Sequence, residues 1–123
     1  MNKHILVIDD NESMRISMTR ILERNGYKVS TAIGGRDGLE IFKNYKFDLV
    51  VTDIFMSEND GVWFLIELKK LQLKVKLIAM SGGSKIFKEW DIFLNATKDL
   101  GVHYTLRKPF SNDELLTTIK SLF

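Results

Sequence analysis

Short, nearly unbroken apolar runs alternate along this chain with longer segments in which apolar residues recur every three to four positions. Runs such as Ile5–Ile8 and Phe47–Asp53 are typical of strands buried on both faces, which parallel sheets between helix layers require. The longer segments are typical of amphipathic helices. In Ser13–Asn25, for example, Met14, Met18 and Leu22 fall on one stripe.

The pattern predicts five strands and five helices in strict alternation. The predicted strands are Ile5–Ile8, Tyr27–Ala32, Phe47–Asp53, Val75–Met80 and Val102–Leu106. The predicted helices are Ser13–Asn25, Arg36–Asn44, Gly61–Leu73, Lys85–Asp99 and a fifth that opens on the capping box Ser111–Glu114 and runs to Leu122. This order predicts an α/β fold of the (βα)5 type, a three-layer α/β/α sandwich with a parallel sheet. No linker, low-complexity tract or repeat divides residues 1–123, so we expect one domain.

Polar side chains follow four of the predicted strands. Asp9 and Asp10 follow the first strand, Asp53 ends the third, Ser81 follows the fourth, and Lys108 follows the fifth. In open α/β sheets, ligands bind outside the carboxyl ends of the strands, so we expect these side chains to share one crevice. Three convergent carboxylates would repel one another unless a cation joined them, and hard oxygen ligands suit Mg²⁺. The alternative, in which Asp10 only caps a helix and Asp53 only starts a turn, does not explain the convergence.

A magnesium site beside a carboxylate fits aspartyl-phosphate chemistry. A carboxylate oxygen of Asp53 can attack as the nucleophile, while the metal neutralises and aligns the phosphoryl oxygens. Lys108 can pair with those oxygens as a point charge, and the Ser81 hydroxyl can donate to another. We expect a cis peptide bond between Lys108 and Pro109, which aims the lysine into the crevice.

Composition excludes several other classes of function. Apolar residues make up 45% of the 123 residues and charged residues 28%, close to the globular average. The net charge is +2, and no dense Lys/Arg cluster indicates a nucleic-acid surface. Cysteine is absent, so no disulfide or thiolate metal site is possible. We interpret His4 and His103 as strand-end residues rather than zinc ligands. The opening apolar run is too short for a signal peptide or a membrane span, and we expect a cytoplasmic protein with no membrane partner.

The motifs Asp-Asp, Asp, Ser-Gly and Lys-Pro-Phe after successive strands resemble those of bacterial response-regulator receiver domains, as in single-domain chemotaxis regulators. The resemblance runs from Lys3 to Phe123 and implies the flavodoxin-like strand order 2-1-3-4-5. It implies a phosphoacceptor, a Mg²⁺ (or Mn²⁺) site, phosphoryl contacts and a hydroxyl switch. The residues are Asp53 as phosphoacceptor, Asp10 as direct metal ligand, Asp9 as a ligand mainly through water, the Phe55 backbone carbonyl as a further ligand, and Lys108 and Ser81 at the phosphoryl group.

The resemblance implies a signalling switch rather than an enzyme, apart from self-phosphorylation and slow self-dephosphorylation. A sensor histidine kinase or phosphotransfer protein would phosphorylate Asp53, and a downstream protein would read the face formed by helix 4, strand 5 and helix 5. That face could also form a homodimer. Because the chain ends at Phe123 without an effector domain, we expect output by docking, unless a longer natural protein was trimmed.

Three other functions remain open from the sequence. The first is a receiver fold that serves as an unphosphorylated scaffold, although every position needed for the chemistry is filled. The second is a phosphatase of the haloacid-dehalogenase type, which needs a general acid where this chain has Phe55. The third is flavin binding, although the loops lack a phosphate-cradling run of small residues.

The chain departs from the family pattern in the loop after Asp53 and on strand 5. Ser57 stands where the family usually has proline, which frees a backbone N–H. Thr105 occupies the position of the family's aromatic switch residue, and Tyr104 lies one residue earlier. Because side chains alternate across a strand, we expect Tyr104 to point to the opposite face. Ser81 and Thr105 are then the expected switch pair.

The stretch from Ser81 to Gly101 is longer than the family norm by about five residues, somewhat more than one helical turn. It contains Phe87 and Trp90. Either a longer helix covers its own core, or these two side chains form an exposed patch for a partner or a second protomer.

Overall fold

The computed structural model describes residues 2–54, 60–81, 95 and 97–123, and five parallel strands run through it. They are β1 (His4–Ile8), β2 (Lys28–Ala32), β3 (Leu49–Asp53), β4 (Lys76–Ser81) and β5 (Tyr104–Arg107). Their order across the sheet is β2-β1-β3-β4-β5, as the family resemblance implied. The central strands β1, β3 and β4 are buried almost throughout, whereas the edge strands β2 and β5 are only partly buried. The segments with uniformly apolar sequences therefore form the central strands of the sheet.

Helices cover both faces of this sheet. They are α1 (Glu12–Arg24), α2 (Gly35–Asn44), α3 (Asp60–Lys70) and the C-terminal helix (Asn112–Leu122). Residues 97–99 are also helical, but most of the predicted helix Lys85–Asp99 lies outside the described residues. Among the described residues, no helix is long and apolar enough to cross a membrane.

The helices begin and end where side-chain and backbone chemistry allows. The Asn11 side chain caps α1 by accepting a hydrogen bond from the Met14 backbone N–H at 3.0 Å. The Ser111 hydroxyl caps the C-terminal helix by accepting from the Glu114 N–H, also at 3.0 Å, as the predicted capping box requires. Gly26 takes a φ of 87°, the left-handed conformation that closes α1.

The alternation of strand side chains divides the core into two clusters, one on each face of the sheet. On one face Leu6, Ile8, Val50, Leu77 and Ala79 pack against Leu39 of α2 and Phe64, Leu65 and Leu68 of α3. On the other face Ile5, Val7, Leu49, Val51, Ile78 and Met80 pack against Met18 and Leu22 of α1 and Leu115 and Ile119 of the C-terminal helix. The predicted three-layer sandwich is confirmed, and the carboxyl ends of the central strands have rigid supports on both sides.

Both histidines make structural contacts at the starts of strands, as predicted. The His4 ring contacts the Ser30 hydroxyl through Nε2 at 2.8 Å and the Lys46 carbonyl through Nδ1 at 3.0 Å. The His103 Nδ1 accepts a hydrogen bond from the Leu77 backbone N–H at 3.1 Å. These rings tie strand starts to neighbouring segments.

Candidate functional site

The carboxylates that follow β1 and end β3 converge at one edge of the sheet. Ligand oxygens of Asp9, Asp10 and Asp53 all lie within 4.8 Å of one another. Asp9 is fully buried and Asp53 is 4% exposed, whereas Asp10 is exposed. The parallel pairing of β1 with β3 brings these strand ends together. The convergence predicted from the sequence is therefore present.

Lys108 reaches into this acidic cluster from the end of β5. Its ammonium Nζ donates to Asp9 Oδ2 and to Asp53 Oδ2, both at 2.8 Å. The Lys108 backbone N–H donates to the Ser81 carbonyl at 2.8 Å, and the Lys108–Pro109 peptide bond is cis, as predicted. Burial by itself would lower the pKa of Lys108, but hydrogen bonds and charges from Asp53 and Asp9 outweigh it, so the pKa is raised. The lysine therefore remains a cation between two carboxylates.

Asp9 is held more firmly than its neighbour Asp10. Its Oδ1 accepts from the Asn11 backbone N–H at 2.9 Å, and its Oδ2 accepts from Lys108. The Arg15 guanidinium donates to the Asp9 backbone carbonyl at 2.7 Å. Asp10 does not cap α1, because Asn11 does. Asp10 is thus the carboxylate that faces solvent.

Sequence reasoning missed Asn11 and Arg15 as supports of the site. Asn11 carried a signal, because Asn before a helix is a preferred N-cap residue. No comparable signal marked Arg15, because its partner is a backbone carbonyl, a group that every residue carries.

Ser81 ends β4 beside the acidic cluster. The residue is fully buried, and its hydroxyl has no hydrogen-bond partner within the part of the chain that the structure describes. Buried hydroxyls normally have a hydrogen-bond partner, so this one retains an unused capacity to donate and accept at the strand end. The sheet places it next to β3, where the Ile54 N–H donates to the Met80 carbonyl at 2.9 Å.

The register of β5 puts Thr105 and Tyr104 on opposite faces of the sheet. Thr105 pairs with Ala79, which belongs to the core beneath α2 and α3, whereas Tyr104 pairs with Ile78 of the opposite core. Tyr104 is 51% exposed, and Thr105 is half-buried. The predicted alternation is confirmed. The site residue Phe55, together with Ser57, Phe87 and Trp90, lies outside the described residues.

Gly61 is a further residue that sequence reasoning assigned only to a helix start. A Cβ atom at Gly61 would overlap the Asp53 carbonyl oxygen and lie 2.7 Å from the Ile54 Cα. Both neighbours are backbone atoms that cannot move aside cheaply. The first turn of α3 therefore packs directly on the backbone that carries Asp53, and only glycine permits that approach.

The residues present fit a hard divalent cation. The donors are carboxylate oxygens, with no sulfur and no imidazole in the group, which is the set that suits Mg²⁺ or Mn²⁺. Asp10 is exposed and Asp53 lies beside it, whereas both oxygens of Asp9 already accept hydrogen bonds. Asp10 is therefore the carboxylate of the three that a cation can reach most directly from solvent.

Comparison with known proteins gives a consistent result. The sequence matches the family described as "Response regulator receiver domain" over residues 5–120. The chemotaxis protein CheY of Bacillus subtilis is 33% identical over 120 residues, which cover 97% of this chain and 96% of that protein. The alkaline phosphatase synthesis transcriptional regulatory protein PhoP of the same organism is 33% identical over 122 residues, but this chain spans only 49% of its length.

Two solved structures show the same fold. A CheY-like receiver domain protein from Methanospirillum hungatei is 30% identical, with a TM-score of 0.83 and coverage of 98% of this chain and 93% of that one. The response regulator TrrA from Thermotoga maritima, solved in complex with Mg²⁺-BeF, is 30% identical, with a TM-score of 0.81 and coverage of 98% and 99%. Since the family match takes in all five strands and the acidic edge they form, the chain belongs to the response regulator receiver domains.

Proposed function

We propose that this receiver domain, comprising residues 1–123, is a signalling switch that accepts a phosphoryl group on Asp53 and thereby changes its affinity for a partner. The observation that carries the proposal is the Lys108 ammonium, 2.8 Å from carboxylate oxygens of both Asp53 and Asp9. A cation held there offsets the negative charge of the two carboxylates. It can also pair with the oxygens of an incoming phosphoryl group. Asp10 leaves the cluster open to solvent on one side.

Each residue has a chemical role in this proposal. An Asp53 carboxylate oxygen attacks phosphorus and forms the acyl phosphate, while the bond from phosphorus to the donor's leaving group breaks. The leaving group is an imidazole nitrogen when the donor is a phosphohistidine of a sensor kinase or phosphotransfer protein. Lys108 pairs with one phosphoryl oxygen, and the unpaired Ser81 hydroxyl donates to another.

Receiver domains bind Mg²⁺ at an acidic pocket, and we assign that role here to Asp9, Asp10 and Asp53, with the Phe55 carbonyl as a further ligand. When bound, the metal supplies charge neutralisation at the phosphoryl oxygens. The support is the oxygen-only donor set and the Mg²⁺-BeF complex of the Thermotoga relative.

Output is proposed to pass through Ser81 and Thr105 to the face that the family resemblance assigns to the predicted helix Lys85–Asp99, β5 and the C-terminal helix, where a downstream protein or a second copy of the chain binds. Ser81 belongs to β4 and Thr105 to the adjacent strand β5. A cytoplasmic location is part of the proposal and rests on family membership.

The test is phosphorylation by acetyl phosphate with Mg²⁺, read by intact-protein mass spectrometry. We expect the mass gain of one phosphoryl group in the wild type and in Asp37→Asn, an exposed carboxylate on α2, and none in Asp53→Asn. A gain that survives Asp53→Asn, or no gain at all, would refute the assignment.

The metal assignment has its own measurement in the same assay. Asp10→Asn should slow phosphorylation at fixed Mg²⁺ by at least about tenfold, since a direct ligand is lost. EDTA should slow the wild type similarly. Equal rates for Asp10→Asn and wild type across a Mg²⁺ titration would contradict the role of Asp10.

A further inference from the structure

A groove of about 1000 Å³ opens at the end of the sheet opposite the acidic site. Residues 68–69, 72–77, 98–101 and 103 line it, and we call it the lysine groove. Its floor is apolar: Leu68 and Leu77 are buried, and Val75 and Leu100 are half-buried. A concave surface with an apolar floor can take a side chain from another molecule.

Two helical ends form the walls of the lysine groove. The chain after α3 turns through Gln72, whose φ is 54°, and the chain after helical residues 97–99 turns through Gly101, whose φ is 83°. The Lys69 ammonium donates to the Asp99 carbonyl at 2.8 Å and so bridges the two walls. The groove is therefore a built feature of the fold rather than a gap between side chains.

The rim of the lysine groove is strongly basic. Its charged residues are four lysines and one carboxylate, namely Lys69, Lys74, Lys76, Lys98 and Asp99. Their formal charges sum to +3, whereas the net charge of the whole chain is +2. Within the described part of the chain, none of these lysines forms an ion pair with a carboxylate. Lys69 and Lys76 donate instead to the backbone carbonyls of Asp99 and Leu122, and the Lys76 ammonium also lies 5.8 Å from the centroid of the Phe123 ring. Neither contact supplies an anion.

A large apolar side chain is also exposed in the lining of the same groove. Leu73, in the turn between α3 and β4, is 37% exposed. Exposed apolar surface rimmed by polar residues marks protein interaction sites. We propose that the lysine groove docks an acidic segment of a partner protein, with carboxylates on the lysine rim and a large apolar side chain on the leucine floor.

The composition of the groove favours a peptide over a nucleic acid. Binding of single strands relies on aromatic stacking and arginine as well as on positive charge. Among the lining residues that the structure describes, there is no Arg, Phe, Tyr or Trp, and the floor consists of Leu and Val. A nucleic acid would use the charge and leave the apolar floor without a partner.

Docking at the lysine groove is compatible with phosphorylation. β4 runs from Lys76 at the groove to Ser81 at the acidic site, roughly 16 Å at the usual rise per residue. A peptide held at the amino end of β4 thus leaves Asp53 accessible. The inference does not depend on the proposed function of Asp53.

The experiment is a titration of the uniformly ¹⁵N-labelled chain with synthetic peptides, followed by NMR chemical shifts. The probe is a helical peptide of Glu with Leu every three to four residues. Comparison probes replace Leu with Ala, or Glu with Lys, and further probes are oligo-deoxythymidine and phosphatidylserine vesicles. The groove variant is Lys74→Glu/Lys98→Glu. Its matched control is Lys43→Glu/Lys46→Glu, which reverses two exposed lysines outside the groove.

We expect the Glu/Leu peptide to shift amides of residues 72–77 and 98–103, and the groove variant to bind it about tenfold more weakly. The control variant should bind within about twofold of wild type, and the rate of phosphorylation by acetyl phosphate should be unchanged in both variants. The proposal is overturned if millimolar Glu/Leu peptide shifts no amides, or only amides outside the groove. It is also overturned if the Glu/Ala peptide binds as tightly as the Glu/Leu peptide, or if the control variant loses as much affinity as the groove variant. Tighter binding of the oligonucleotide or the vesicles than of the Glu/Leu peptide would overturn it as well.

Discussion

Removing the charge of Lys108 tests the electrostatic core of the site. In Lys108→Met the side chain keeps its length but loses the ammonium that both Asp9 and Asp53 contact at 2.8 Å. The two carboxylates are almost fully buried and then face each other without a cation. Because burial limits how much water can compensate these two charges, we expect the folded state to lose stability.

The size of the loss follows from burial. Removing one partner of a buried pair costs roughly 3–5 kcal/mol. The Lys108 side chain is 19% exposed, so solvent screens part of the interaction. We therefore expect the free energy of unfolding to fall by about 2–3 kcal/mol at pH 7. Lys70→Met, which removes an exposed lysine 3.8 Å from Glu67, should cost less than about 0.5 kcal/mol.

The pH dependence distinguishes this mechanism from a loss of packing. The pKa of Lys108 is raised above its ordinary 10.5, so its stabilisation is fully present below 10.5 and is lost only as the pH rises through the higher folded-state pKa. The difference in the free energy of unfolding between wild type and Lys108→Met should thus persist at pH 9. It should narrow as the pH rises above 10.5, because wild type then begins to lose the Lys108 charge, whereas a packing defect would remain.

Urea unfolding followed by circular dichroism, in EDTA at pH 7, 9 and 11, measures these differences. At typical slopes, a loss of about 2–3 kcal/mol moves the midpoint by roughly 1–2 M urea. A variant as stable as wild type at pH 7, or a difference at pH 11 as large as that at pH 7, would refute the electrostatic reasoning.

Three further predictions follow from neighbouring features. Ser81→Ala should raise the free energy of unfolding of the unphosphorylated chain by up to about 1 kcal/mol, because an unpaired buried hydroxyl is removed. The substitution should also alter the lifetime of the acyl phosphate. A lower urea midpoint than that of wild type would contradict the stability prediction. Gly61→Ala should lower the free energy of unfolding by about 2–3 kcal/mol and slow phosphorylation of Asp53. Gly101→Ala is the control, because φ is 83° there but no described atom lies within 4 Å of an added Cβ. It should lower the free energy of unfolding by about 1–2 kcal/mol and leave the phosphorylation rate unchanged. Burial lowers the pKa of His4 below 6.5, and Lys28 adds to this, against the opposing effects of Lys46 and Asp48. Wild type should therefore lose stability relative to His4→Gln as the pH falls through 6.5, and parallel pH profiles would contradict that.

The fold was predictable because its central strands are buried on both faces. Leu49–Val51 and Ile5–Ile8 lie wholly in the core, so their apolar runs carried an unambiguous signal. β5 was predicted at Val102–Leu106 but runs from Tyr104 to Arg107. In this edge strand only Leu106 is fully buried, so the hydrophobic pattern could not define its ends.

The site was predictable to the extent that it follows from strand ends. Asp9 and Asp10 are the same residue type side by side, and the rule that ligands bind at carboxyl ends located both. It could not distinguish the buried, doubly hydrogen-bonded Asp9 from the exposed Asp10, because that difference depends on Lys108 and Asn11. Contacts to backbone atoms, such as Gly61 against Asp53, carry no side-chain signature in the sequence.

The strand pair β4–β5 gives a physical reason why the proposed switch does not require an aromatic residue at position 105. Ser81 offers its hydroxyl to the site, and its carbonyl accepts the hydrogen bond from the Lys108 N–H at 2.8 Å. The two groups proposed to contact a phosphoryl group therefore share one backbone connection between neighbouring strands. In the proposed switch, a movement of Ser81 toward the phosphoryl group would displace the start of the turn that carries Lys108, and Thr105 lies on the strand that leads into that turn. The change in β5 would then pass through the backbone, and the half-buried Thr105 would have to accommodate it rather than transmit it by a ring flip.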